Sequence, residues 1–198
     1  MQLPASNAFT HTTYLVRRKI FKIFGAAFHI YGPQGTLQFY SKQKAFKLKE
    51  DIRIFSDESM SQELLVIKAR NIFDIAATFD IFDPIQGNLH VGCIKRKGLK
   101  SIVVDEWLFL NPAGEQIGTI KEDSLILALL RRLIVGWLLP QEYLGEIGGV
   151  RVCRFQRNFN PFVSKVTLDF TSDTGHLLDR RIGIAAAVLL VAIEGKDQ

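Results

Sequence analysis

Between Leu168 and Asp179 the chain reads LDFTSDTGHLLD, which gathers oxygen donors of the kind calcium loops use. Asp169, Thr171, Asp173 and Asp179 offer hard oxygen ligands at mostly alternating positions. The EF-hand pattern also needs Gly at its sixth position and a bidentate Glu at its twelfth. Counted from Asp169, those positions hold Thr174 and Arg180, and an arginine at the closing position repels a cation. The segment is therefore expected to be a turn leading into a capped helix. Asp169, Asp173 and Asp179 remain only weak calcium candidates, and no metal is assigned.

Basic residues form the second chemical theme. They cluster at Arg17-Arg18-Lys19 with Lys22, at Lys42, Lys44, Lys47 and Lys49, at Lys95-Arg96-Lys97 with Lys100, and at Arg131-Arg132. The formal net charge is +5, which favours anionic partners without choosing between nucleic acid and lipid. In AFKLKED the alternation sends Phe46 and Leu48 inward and Lys47 and Lys49 outward. An outward lysine on a half-buried strand is ordinarily just solvated, and charge on a strand edge deters aggregation. If several clusters met on one face, each basic residue would add about 1 kcal/mol near an anionic membrane.

Catalytic signatures are missing. His11, His29, His90 and His176 are scattered without HxxxH or HExxH spacing, and there is no GxSxG elbow, Walker loop or GxGxxG. A non-enzymatic protein needing no cofactor is expected. RRKIFKIF interleaves basic and aromatic residues as single-strand binders do, but Phe21 and Phe24 are more simply core, so nucleic acid is not the expected partner. Cys93 and Cys153 lack CxxC spacing and read as buried, unpaired thiols of a reducing compartment. The N-terminal residues show no secretory pattern.

The elements that must position these groups follow from hydropathy. IGIAAAVLLVAI, Ile182 to Ile193, has no polar side chain. As a helix it spans roughly 18 Å, short of the bilayer core of about 30 Å, and it is flanked by Asp179, Arg180 and Arg181 before and Glu194 after. Asp179 is the expected N-cap and Gly195 the expected C′ residue. A helix apolar all round must be buried all round.

Much of the remaining chain reads as strands punctuated by X-Pro…Gly turns at YGPQG (31–35), FDPIQG (82–87) and LNPAG (110–114). The strand runs are TYLVRRKIFKIF, TLQFY, AFKLKEDIRIF, ELLVIKA, NIFDIAATFDIF, NLHVGCIK, SIVVDEWLFL, EQIGTI, EYLGEI, VRVCRFQ and FVSKVTLDF. Such a meander closes into a barrel or sandwich, and a large barrel has an interior that an apolar helix would fill. SLILALLRRLIVGWLLP (124–140) reads instead as a helix, packed on the barrel wall or presenting Arg131, Arg132 and Trp137 to a membrane or partner.

The segments YLVRRKIFKIFGAAFHIYGPQG (14–35), YSKQKAFKLKEDIRIF (40–55), FDIFDPIQGNLHVGCIKRKGLKSIVVDEWLFLNPAGEQIG (79–118) and LLDRRIGIAAAVLLVAIEG (177–195) together resemble the LURP-one-related and phospholipid-scramblase-like proteins. The resemblance covers nearly the whole chain and rests on order and spacing rather than on one motif. It implies the tubby C-terminal-like fold: a mainly β, closed antiparallel barrel of about twelve strands around a hydrophobic C-terminal helix. Here that would be a single domain over 14–196, the helix near 179–194, after an N-terminal extension 1–13. It implies binding of anionic, phosphoinositide-like phospholipid, with Lys42, Lys44 and Lys47 matching the tubby lipid-contacting strand and turn, although tubby's run is denser in Lys and Arg. Arg17, Arg18 and Lys19 join them as candidates. Scramblase-like lipid translocation and a protein scaffold docked through Leu125–Leu139 are the alternatives. The expected location is cytoplasmic, peripheral at a membrane, without a transmembrane span.

Overall fold

The structure, a computed structural model, describes residues 7–21, 25–43, 51–70, 77–97, 106–122, 141–158 and 164–194. Each X-Pro…Gly segment closes a hairpin. Gly35, Gly87 and Gly114 take φ of 74°, 67° and 85°, and the amide of Gly114 donates to the carbonyl of Asn111 at 2.9 Å. Gly148 and Gly149 make a two-residue turn with φ of 57° and 81°, the backbone that the right-handed strand twist favours.

The wall begins with β1 (Thr13–Phe21), β2 (Gly25–Tyr31), β3 (Leu37–Gln43), β4 (Ile52–Phe55), β5 (Glu63–Ala69) and β6 (Thr78–Asp83). The wall continues through β7 (Leu89–Arg96), β8 (Glu106–Leu110), β9 (Gln116–Glu122), β10 (Gln141–Ile147), β11 (Val150–Asn158) and β12 (Lys165–Asp169). Every strand pairs antiparallel with its sequence neighbours, and β12 returns to β1 with Val16 opposite Val166, closing the barrel. In β6 and β12 the period of two is strict: Phe79 and Ile81, then Val166 and Leu168, point into the core.

Helix α1 (Arg180–Glu194) fills the interior. Ile184, Ala185, Ala187, Val188 and Leu189 are 0% exposed, as the all-apolar sequence demands. A barrel of this many strands is too wide for its own side chains to fill, and a slim Ala-rich helix takes the space. Asp179 caps it as expected, its carboxylate accepting from the amide of Arg181 at 2.9 Å. Gly195 lies outside the described residues.

Two glycines let the helix enter. A Cβ on Gly92 (φ 154°) would lie 2.7 Å from the carbonyl oxygen of Leu110 and 2.9 Å from Ile182 Cδ1. A Cβ on Gly183 would collide with the ring of Phe170.

The structure adds to the sequence reading in two places. GAAFHIY, absent from the strand runs, is β2, whose small Ala26 and Ala27 carry little strand signal. Within the N-terminal extension, Ala8 and Phe9 pack on the core, and Tyr14 Oη donates to the carbonyl of Ala8 at 2.7 Å. The expected helix over 124–140 lies outside the described residues.

Candidate functional site

Odd-numbered strands end, and even-numbered strands begin, at the barrel rim reached by the last turns of α1. Basic residues of three strands come together there. Arg17 on β1 lies opposite Lys165 on β12 and opposite His29 on β2. Two positions on, Lys19 lies opposite Ala27, and Ala27 opposite Lys42 of β3. Cross-strand partners share a face, so Arg17, Lys19, Lys42 and Lys165 stand on one outer patch. Lys19 and Lys42 flank the small Ala27, about 10 Å apart at two strand spacings. Lys19 and Lys42 are exposed, and no carboxylate among the described residues pairs with any of the four.

Two other cations at this rim are already engaged. Lys97 and Lys121 lie 2.9 and 3.7 Å from the carboxylate of Glu106. Arg18 departs from the surface-facing expectation. It lies opposite Phe28 on the inner face, its guanidinium 5.9 Å from that ring, and its Nη1 donates to the Val191 carbonyl at 3.2 Å. Strand alternation separates Arg18 from Arg17 and Lys19, and burial lowers its pKa from the usual arginine value. Lys44 and Lys47, the alternation expected over 46–49, and Arg131, Arg132 and Trp137 lie outside the described residues.

At the opposite rim the three calcium candidates do not converge on one point. Asp169 accepts from the Thr171 amide at 2.8 Å and from Arg154 at 3.4 Å. Asp173, with no exposed side-chain surface, accepts from the amides of Leu177 (2.8 Å) and Leu178 (3.2 Å) and from Arg180 (3.1 Å). Asp179 caps α1 and pairs with Arg181 at 2.6 Å, while Arg181 Nη1 also donates to Asp83 at 2.6 Å. Hydrogen bonding to Asp179 holds the Arg181 guanidinium above its usual pKa despite burial. Each carboxylate is thus already neutralised by a guanidinium, the charge that Arg180 announced at the loop's closing position.

Both cysteines are free and buried. Burial, first, and the nearby Asp173 raise the Cys153 thiol well above its ordinary pKa, which removes it as a nucleophile. Cys93 sits on the barrel's outer wall beside Asp80 and His90, a grouping that strand alternation in the sequence hides.

The family model described as LURP-one-related matches residues 37–181, from β3 to the first turn of α1. Among solved structures, an Arabidopsis thaliana protein determined by X-ray crystallography is similar at 11% identity over 100% of both chains, with a TM-score of 0.48. No curated protein sequence matches the chain. On the family match over most of its length, the chain belongs to the LURP-one-related family.

Proposed function

We propose that this LURP-one-related barrel is a non-enzymatic, cytoplasmic module that docks peripherally on anionic phospholipid of the phosphoinositide type, as tubby-like and scramblase-like proteins suggest. The observation that carries the reading is the row Lys19–Ala27–Lys42, with Arg17 and Lys165 beside it on the same outer face. Cations drawn from three strands of a closed barrel keep fixed spacing. No carboxylate among the described residues pairs with them, and Lys19 and Lys42 are exposed.

Lipid translocation is the weaker reading. It would need α1 to leave the barrel, exposing side chains that are wholly buried and emptying the core that every strand shares. Buried Ile, Leu and Val side chains contribute roughly 1.5–3 kcal/mol each. No described helix is long and apolar enough to cross a membrane.

Co-sedimentation with liposomes tests the proposal, using neutral vesicles against phosphoinositide- or phosphatidylserine-containing ones at low and high salt. Binding restricted to the anionic vesicles and weakened by salt is the expected result. Lys19→Ala combined with Lys42→Ala is expected to lower partitioning about 30-fold, at about 1 kcal/mol per basic residue. Equal binding to neutral vesicles, or none to any set, would remove lipid as the partner and leave a protein scaffold as the reading to pursue.

A further inference from the structure

The outer wall at β6 and β7 carries a second cluster, unrelated to the basic rim. Asp80 lies opposite Cys93, and Phe82 lies opposite His90. His90 and Cys93 are three residues apart and would point to opposite faces of a regular strand. A bulge between these pairs, with Gly92 opposite Ile81, takes up one extra residue and turns both side chains outward.

The bulge brings three different ligand atoms together. His90 Nε2 lies 3.0 Å from Asp80 Oδ1, Cys93 Sγ lies 3.1 Å from the same oxygen, and Sγ and Nε2 are 3.6 Å apart. Tetrahedral zinc, with bonds of about 2.3 Å to sulfur and about 2.0–2.1 Å to nitrogen and oxygen, sets its ligand atoms about 3.3–3.6 Å apart. The triangle is therefore within about half an ångström of one face of a zinc tetrahedron. The His90 ring is held by stacking on Phe82 at 4.9 Å, and Cys93 is fully buried in a small apolar shell with Leu108 and Leu110. A cation already contacts two of the three ligands: Arg70 donates from Nε and Nη2 to the two Asp80 oxygens, at 2.6 Å each, and its Nη2 lies 3.2 Å from Cys93 Sγ.

We propose that Asp80, His90 and Cys93 form a three-ligand site for a borderline-soft divalent cation of the zinc type, and that Arg70 fills this site when the metal is absent. A nucleophilic Cys-His-Asp relay does not fit, because the same imidazole nitrogen faces both the thiol and the carboxylate; a relay needs one ring nitrogen for each. Metal suits that convergence. On binding, the Cys93 thiol releases its proton to solvent and the Arg70 guanidinium swings outward, a path open to it because its side chain is 45% exposed. The charge balances in both states. Carboxylate and guanidinium cancel without metal; with metal, one thiolate and one carboxylate cancel a dication and Arg70 is solvated.

Titration of the purified full chain with Co²⁺ tests this, followed by displacement with Zn²⁺. The expected result is a thiolate-to-cobalt charge-transfer band in the near ultraviolet that zinc abolishes. Cys93→Ser should remove the band, and His90→Ala and Asp80→Asn should each weaken binding at least about tenfold. Arg70→Ala should bind about tenfold more tightly, since one charge-assisted contact no longer competes with the metal. Tighter binding after loss of a side chain is not an outcome that unfolding can imitate. His90 is partly exposed, so His90→Ala is expected to keep the native circular dichroism and to decide the matter should Cys93→Ser misfold. No band in either the wild type or Arg70→Ala would overturn the proposal. A band unchanged by both His90→Ala and Asp80→Asn would overturn it as well.

Discussion

Arg18 sits between two residues of the same chemistry and does a different job. Arg17 and Lys19 face out of β1, whereas Arg18 faces in, over the Phe28 ring and against the Val191 carbonyl near the end of α1. A positive charge there satisfies a helix carbonyl and complements the negative end of the helix dipole. Arg18→Ala is therefore expected to lower unfolding free energy by about 1.5–3 kcal/mol, the range for a hydrogen bond to a charged group. Its liposome binding should stay unchanged, because the guanidinium does not face the surface. Chemical denaturation alongside co-sedimentation checks both halves. A loss of lipid binding with unaltered stability would show that Arg18 turns outward in solution.

At the scale of elements, α1 and the barrel wall depend on each other. The helix has no polar face to leave in water, and inward side chains of all twelve strands share one core with it. Leu189 is fully buried at the middle of that contact. Leu189→Ala is expected to cost about 2–5 kcal/mol as a cavity. Leu189→Asp should abolish folding, since a buried charge without a partner is far more expensive than a cavity. Thermal unfolding of the two variants checks this order. A folded, soluble Leu189→Asp protein would mean that the helix does not sit inside the barrel.

At the scale of the whole molecule the two rims treat charge differently. The rim where α1 ends carries Arg17, Lys19, Lys42 and Lys165, with no carboxylate partner among the described residues, whereas at the rim where α1 begins Asp83, Asp169, Asp173 and Asp179 are each paired with a guanidinium. Those paired carboxylates give the fold a pH dependence. Burial acts to raise the Asp169 carboxyl, but hydrogen bonds from Thr171 and the charge of Arg154 outweigh it and hold it below the usual carboxylate range. A depressed carboxyl stabilises the fold above its unfolded value of about 3.9, and that contribution is lost as pH falls through the lower folded value. Melting temperature should therefore drop as pH falls below about 4, and Asp169→Asn should flatten that drop while melting lower than wild type at neutral pH. An identical acid profile in the variant would show that Asp169 is not among the groups responsible.

Much of this protein follows from local sequence. Ile182–Ile193 is too short to cross a bilayer and too apolar to face water, so burial of the helix is set by length and hydropathy alone. The Pro-Gly turns and the period-two runs such as TFDIFD mark the wall, and Asp179 marks the helix start. Local patterns failed where small residues carry no period, as in GAAFHIY, and where a bulge breaks alternation, as between His90 and Cys93. They are also silent about register. Only pairing between strands places Lys19 across Ala27 from Lys42 and lays Arg154 of β11 against Asp169 of β12. Side-chain periodicity is a property of a few consecutive residues. Which strands adjoin, and at what offset, depends on closing the barrel around its helix, and that is decided by the tertiary structure.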